Sequence, residues 1–422
     1  MNAFYVEGGH RLEGAVEVHG AKNSVLPILA ATILSGGQSV IHNCPRLSDV
    51  DASISILRHL GCKVEREGDT VTVDSGPMCR SDIPDDLMRE MRSSVIFLGA
   101  ILGRTGEAHL SMPGGCELGP RPIDLHLAAL RAMGAEIRDQ GGGLECTGPG
   151  LAGCDITLSI ASVGATENIM LAACRAAGTT TILNAAREPE IVDLQAFLRA
   201  MGARVDGAGT STVVIEGGAS LHGCEHRVIS DRIVAATYLS AAAAAGGRVT
   251  VTGVEYRQLS TVTAIFREAG CELRSGRDFI TLASYRPLAG VLPVRTAPYP
   301  GFPTDAQPVV MAALAKGRGT TVFVETIFEN RYRHVGELAR MGADIRVEGR
   351  VAVVCGVPML HGASVKAADL RGGAALVVAA LGAEGRSRIT GLHHIDRGYW
   401  DLDRALRSLG AEIHRVEDED KN

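Results

Sequence analysis

The 422-residue sequence predicts an α/β protein of two domains, each assembled from three similar units. Three observations point there. One phrase recurs six times, as ILRHLGCKVE, LRAMGAEIRD, LRAMGARVDG, FREAGCELRS, LARMGADIRV and LRSLGAEIHR. Its glycines, Gly61, Gly134, Gly202, Gly270, Gly342 and Gly410, are separated by 73, 68, 68, 72 and 68 residues. Each phrase also follows a second apolar run, rich in Ala and Gly, that ends in Gly and another strand-like stretch.

Within the recurring phrase a helix meets a glycine where a left-handed terminating residue is needed. The alternation that follows, as in Lys63-Val64-Glu65 or Asp344-Ile345-Arg346, fits a half-buried strand. The preceding runs, among them NSVLPILAATILSGG, RIVAATYLSAAAAAGG and GGAALVVAALGAEG, are apolar nearly all round and predict buried, closely packed helices. Each unit then reads helix, strand, helix, strand, strand over about 70 residues, longer than usual solenoid repeats. Three units make a domain of about 200 residues, and the join falls near Glu216–Ser230.

Composition narrows the function classes. A net charge of −6 argues against a nucleic-acid partner but leaves room for anionic small substrates. None of the ten cysteines has Cys-x-x-Cys spacing or a neighbouring His pair, so no zinc set and no metal are expected. A start without signal-peptide character, MNAFYVEGGH, predicts a reducing cytoplasm. The longest apolar stretches, Val25–Leu34 and Ala235–Ala245, are too short to span a bilayer.

The starts of the six buried helices hold an unusual polar set. It comprises Lys22 and Asn23, Arg92 and Ser93, Ser162 to Gly164, Asp231 and Arg232, Asp305, and Asp369 with Arg371. Helix N-termini offer free N–H groups and partial positive charge to an anion. Plain capping competes as an explanation for each Asp and Ser. It does not explain Lys22, Arg92 and Arg371, because cations there oppose the helix dipole.

Two links between elements stand out. Pro113-Gly-Gly-Cys116-Glu-Leu-Gly-Pro-Arg121 lengthens the second unit with residues that favour a loop, and an exposed Cys116 near Arg121 would gain thiolate character. Most of the other nine cysteines read as core fillers. In His393-His394-Ile-Asp396-Arg397-Gly398-Tyr399, neighbouring histidines on a strand would face opposite ways, which argues against a metal pair. Arg397 is either a surface ion pair or a bidentate clamp on an anion.

These segments together resemble the UDP-N-acetylglucosamine 1-carboxyvinyltransferases of the EPSP synthase superfamily. The matches are HGAKNSVLPILAA, MRSSVIFLGA, MPGGCELGPRPIDLH, SVGATENIM, NAAREPEIVD, RTAPYPGFPTDAQ, ETIFENRYRH, DLRGGAALV and HHIDRGY, in the family's order. The resemblance implies a pair of inside-out α/β barrels. It implies a first domain of 21–229 and a second of 1–20 plus 230–422, with the active site in the cleft between them. It also implies phosphoenolpyruvate and UDP-N-acetylglucosamine as substrates, no cofactor, and cytoplasmic peptidoglycan precursor synthesis.

Site roles follow from the same resemblance. Lys22, Asn23, Arg121, Arg371 and Arg397 are expected at phosphoenolpyruvate. Asn23, Arg92, Arg121, Pro122, Ile123, Asp124, Leu125, Ser162, Val163, Gly164, Asp305 and Ile327 are expected at the nucleotide sugar. Cys116, Asp305, Lys22, Arg397 and Asp369 form the catalytic set. Asp305 is the base at the sugar 3-hydroxyl, and Cys116 is a proton donor or an aid to product release that fosfomycin would alkylate. Ile160 and Ser48 stand where some members carry Lys. Two rival readings share the architecture: transfer to shikimate 3-phosphate, and a silent paralogue that only binds a nucleotide sugar.

Overall fold

In the computed structural model, residues 2–91, 93–111, 123–140 and 142–416 are described, and every repeat folds in one order. The first unit runs from buried helix Lys22–Ala31 to strand Gln38–His42, then amphipathic helix Ser48–His59 and hairpin Lys63–Glu67/Thr70–Asp74. A short strand, Asp82–Ile83, ends it and pairs in parallel with the first strand of the next unit, Glu107–Ser111.

The described residues divide into two compact bodies, with the breaks between His19 and Gly20 and between Ile229 and Ser230. In the body that begins at Gly20, each unit hands a short strand to the next. Asp155–Thr157 pairs with Thr179–Leu183, and Glu225–Arg227 returns to Gln38–His42, so three four-stranded sheets close in a ring. The join near Glu216–Ser230 therefore contains the strand that completes this ring.

The other body closes the same way, with one substitution. Val294–Arg295 pairs with Thr320–Val324, and Ser364–Lys366 with Arg386–Thr390. In the sixth unit the N-terminal strands complete the pairing. Ala3–Glu7 lies antiparallel between Arg386–Thr390 and Glu412–Val416, while Leu12–Glu17 joins Gly247–Thr252 in parallel. Sheets lie outside and buried helices inside, an inside-out barrel.

The six repeated glycines all take left-handed φ, from +91° to +101°. At each, the residue after Gly donates back across the helix end, as Cys62 N–H does to Leu57 C=O at 3.0 Å and Ala343 N–H to Leu338 C=O at 3.1 Å. This is a Schellman ending, which only Gly enters without a Cβ penalty. The next residue, Ala or Cys, is buried at all six sites, so the turn also fixes how each hairpin starts against the core.

Small side chains let the inner helices approach to backbone contact. In Phe97–Thr105, a Cβ on Gly99 would stand 2.2 Å from the carbonyl oxygen of Asn168 in helix Val163–Ala173. Helix propensity alone favours Gly→Ala by about 1 kcal/mol, whereas overpacking a close contact costs about 1–3 kcal/mol. Gly99→Ala is therefore expected to lower the urea midpoint of unfolding; an unchanged or raised midpoint would contradict the close-packed helix pair.

Candidate active site

Four of the expected site residues, Arg92, Cys116, Arg121 and Pro122, lie outside the described residues. The others fall into one set in each body. In the body beginning at Gly20, Lys22 opens its helix and is buried, with its ammonium 2.6 Å from the carboxylate of Asp49, itself 1% exposed. Asn23, next along, is exposed. Ser24 on the same helix donates to Asp193 at 2.5 Å, and Asp193 also accepts from His226 at 2.9 Å and from Ile229 N–H at 3.2 Å. These bonds hold the start of the Lys22 helix from behind.

Ser162 caps helix Val163–Ala173 by accepting from Ala165 N–H. Ile123, Asp124 and Leu125 lead into His126, whose ring touches the same helix start: a Cβ on Gly164 would lie 3.1 Å from its Cε1. Buried Asn168 fixes that ring by donating to Nδ1 at 2.8 Å and to Val95 C=O at 2.9 Å. With Nδ1 accepting, the proton of a neutral imidazole sits on Nε2. Segments 123–125 and 162–164, both expected at the nucleotide sugar, are thus neighbours. Ile160 is 65% exposed and Ser48 is exposed.

In the other body the starts of all three buried helices meet. Asp231 caps Arg232–Ala245 through Ile233 and Val234 N–H, and Asp369 caps Leu370–Gly382 through Arg371 and Gly372 N–H. Asp305 does not occupy the N-cap position of its helix, which falls on Ala306. It lies in the turn Thr304–Ala306 before Gln307–Ala315, with Oδ1 2.9 Å from Arg331 and Oδ2 3.2 Å from Arg371. Its side chain is 28% exposed while both arginines are buried.

Arg371 is held charged. Burial opposes its positive form, but Tyr399, Asp305 and Asp231 outweigh that and raise its affinity for the proton. Its Cζ stands 5.4 Å from the Tyr399 ring. Arg371 Nη1, Asp369 Oδ2 and both His334 ring nitrogens are buried with no hydrogen-bond partner among the described residues. Such groups are rare in folded proteins.

Arg397 is half-buried in the turn before Gly398, where an added Cβ would stand 2.8 Å from the Leu370 side chain at the start of the Arg371 helix. The preceding residues form a short helix, Leu392–Ile395, where a strand was expected. The rings of His393 and His394 consequently stand 4.0 Å apart rather than on opposite faces. Asp396 pairs with Arg415. Among the described residues no group of three His, Cys, Asp or Glu is placed to hold a metal ion, and no helix is long and apolar enough to cross a membrane.

Comparison with known proteins decides the family. The profile of the EPSP synthase (3-phosphoshikimate 1-carboxyvinyltransferase) family matches residues 6–406. A UDP-N-acetylglucosamine 1-carboxyvinyltransferase 2 of Caldanaerobacter subterraneus subsp. tengcongensis is 54% identical, covering 99% of this chain and all of the relative. A UDP-N-acetylglucosamine 1-carboxyvinyltransferase of Acinetobacter baylyi is 47% identical over 99% of this chain and all of its own. The chain belongs to this enolpyruvyl transferase family. The crystal structure of the enolpyruvyl transferase NikO from Streptomyces tendae superposes with a TM-score of 0.90 at 28% identity, covering 98% of this chain and 99% of that one. An EPSP synthase of Acinetobacter baumannii, 21% identical and covering 99% and 100%, shares the fold with a TM-score of 0.75.

Three residues outside the expected set contact members of it: Asp49 pairs with Lys22, Arg331 with Asp305, and Glu325 accepts from Ile327 N–H. Asp49 gave no signal in spacing, since only the fold brings it to Lys22. Arg331 and Glu325 lie in ETIFENRYRH, where a charge directly after a buried strand was the available clue. For the other cysteines, burial pushes the thiols of Cys44 and Cys174 up to about 12 and those of Cys62, Cys146, Cys224 and Cys271 up to about 11. At neutral pH these are inert thiols.

Burial likewise lowers His334 from 6.5 to about 4, against the pull of Asp369. Between those values the unfolded transferase takes up a proton that the folded one refuses, so stability falls as pH falls from 6.5 toward 4. The contribution is up to about 3 kcal/mol. His334→Asn is expected to flatten the drop in unfolding free energy between pH 7 and pH 4.5, measured by urea titration. An identical pH dependence in wild type and variant would contradict a neutral buried His334.

Proposed function

We propose that the protein transfers the enolpyruvyl group of phosphoenolpyruvate to the 3-hydroxyl of UDP-N-acetylglucosamine and releases phosphate, in cytoplasmic peptidoglycan precursor synthesis. The observation that carries this reading is Asp305, a partly exposed carboxylate held between two buried arginines at the meeting point of three helix starts. The 54% and 47% identities to proteins named for this activity support this acceptor, against 21% to an EPSP synthase.

In the first step the sugar 3-oxygen bonds to C2 of phosphoenolpyruvate while Asp305 takes the hydroxyl proton and an acid delivers a proton to C3. The product is a tetrahedral phospho-ketal bearing a methyl group. In the second step the C2–O bond to phosphate breaks, phosphate leaves with the electron pair, and C3 loses a proton to restore the double bond. Lys22, Arg121, Arg371 and Arg397 hold the phosphate and carboxylate charges, and fixed cations stabilise charge as it develops. Arg92, Asn23 and the segments 122–125 and 162–164 hold the nucleotide sugar with Ile327, and Asp369 stands beside the reacting carbons. Cys116 serves either the C3 proton or product release. These steps make one C–O bond, break another and move protons, with no change that calls on a cofactor.

Two ion pairs constrain this chemistry. Asp305 is poised as a base only when a substrate anion competes for Arg371, and Lys22 reaches phosphate only by sharing its charge with Asp49. The alternative of a silent nucleotide-sugar binder predicts binding without turnover.

Purified protein with phosphoenolpyruvate and UDP-N-acetylglucosamine is expected to release phosphate and yield a nucleotide sugar heavier by one enolpyruvyl group. Asp305→Ala should lower kcat about 10²–10⁴-fold, the range for loss of a general base. Cys116→Asp should retain turnover and lose fosfomycin inactivation if the residue supplies a proton. Product from shikimate 3-phosphate and none from UDP-N-acetylglucosamine would overturn the proposal.

A further inference from the structure

Glu325 follows the strand Thr320–Val324 and is 1% exposed. Its two oxygens accept four hydrogen bonds, all from uncharged donors. Oε1 takes the hydroxyl of Thr296 at 3.0 Å, Ile327 N–H at 2.7 Å and Phe328 N–H at 3.0 Å. Oε2 takes the hydroxyl of Thr304 at 2.9 Å. A buried carboxylate without a cationic partner in this set is a costly way to hold a turn, since its desolvation must be offset by the bonds it accepts. What it offers that no neutral side chain does is two acceptor oxygens, with about four lone-pair sites fixed on one planar group.

Those two oxygens point to different parts of the site. The Oε1 side shapes the turn that carries Ile327. Thr296 reinforces it, because its hydroxyl also accepts from Thr326 N–H at 2.8 Å and its carbonyl accepts from the Thr326 hydroxyl at 2.7 Å. The Oε2 side fixes Thr304, the residue before Asp305. Thr304 C=O in turn takes Arg331 at 2.9 and 3.2 Å, and Arg331 donates to Asp305.

We propose that Glu325 is a positioning residue that sets the sugar-contacting turn with one oxygen and the base Asp305 with the other. This rests on the transfer reaction above. The two arms make separable contributions: the Oε2 arm acts on the chemical step through Asp305, and the Oε1 arm acts on nucleotide-sugar binding through Ile327.

The test is steady-state kinetics on two near-isosteric variants of the full chain. Thr304→Val removes the Oε2 bond alone, and kcat is expected to fall about 10-fold or more, the scale for losing one bond to a charged group. KM for UDP-N-acetylglucosamine should stay within about twofold. Thr296→Val loosens the Oε1 arm, and KM for UDP-N-acetylglucosamine should rise about 10-fold or more with kcat within about twofold. Thr304→Ser, which keeps the hydroxyl, should restore kcat. If wild type turns over but both variants change kcat and KM in parallel, or neither changes them, Glu325 is structural only and the proposal fails. An inactive wild type would instead sink the transfer reading itself.

Discussion

Close approach between small-residue helices is the constraint on which each body depends. The inner helices are rich in Ala and Gly, and where a Gly faces a neighbour the backbones come within contact, as Gly99 does at Asn168. In the second body that closeness brings three helix starts together. Asp231, Asp305 and Arg371 consequently act on one another electrostatically although they are far apart in sequence. A bulkier core would separate the helix ends and disperse the charges. Packing and chemistry are therefore one design: the residues that fill the core also set the spacing of the site.

The ring closure has a second effect. Because each unit hands a strand to the next, no unit completes a sheet alone, and in the second body the N-terminal strands complete the last sheet and the first. The chain pays for this with long-range pairing between residues 3–17 and strands near 250 and 390. In return the first strand of every unit is paired on both sides, which suits a site whose charged residues come from different units. The electrostatics follow the same logic. Arg331 and Arg371 are almost fully buried, yet each finds Asp305, and Lys22 finds Asp49. Buried charges left unpaired would be unaffordable in free energy, whereas paired ones are stable and can exchange partners when an anion arrives.

Much of this was legible in the sequence because it repeats. Six glycines at near-equal spacing marked six helix endings, and all six adopt the left-handed φ that the pattern required. The helix-start positions of Lys22, Ser162, Asp231, Asp305, Asp369 and Arg371 were visible for the same reason. What was not legible depended on tertiary pairing. Nothing in SDVD announces that Asp49 meets Lys22, and nothing in ETIFENRYRH says that Glu325 turns inward to bind Thr304. His393 and His394 were read as strand neighbours, whereas they lie in a short helix. Asp305 could have been a cap on sequence grounds; its place one turn ahead of the helix gives its carboxylate to two arginines instead.

The central claim is that the enolpyruvyl group moves by addition and then elimination, with a methyl group formed at C3 on the way. Running the reaction in deuterium oxide and weighing the product by mass spectrometry tests this most directly. The account predicts product carrying solvent deuterium at the C3 methylene, because C3 takes a solvent-derived proton before losing one. Product formed in full yield with no deuterium at C3 would contradict it, since the transfer would then proceed without protonation of that carbon.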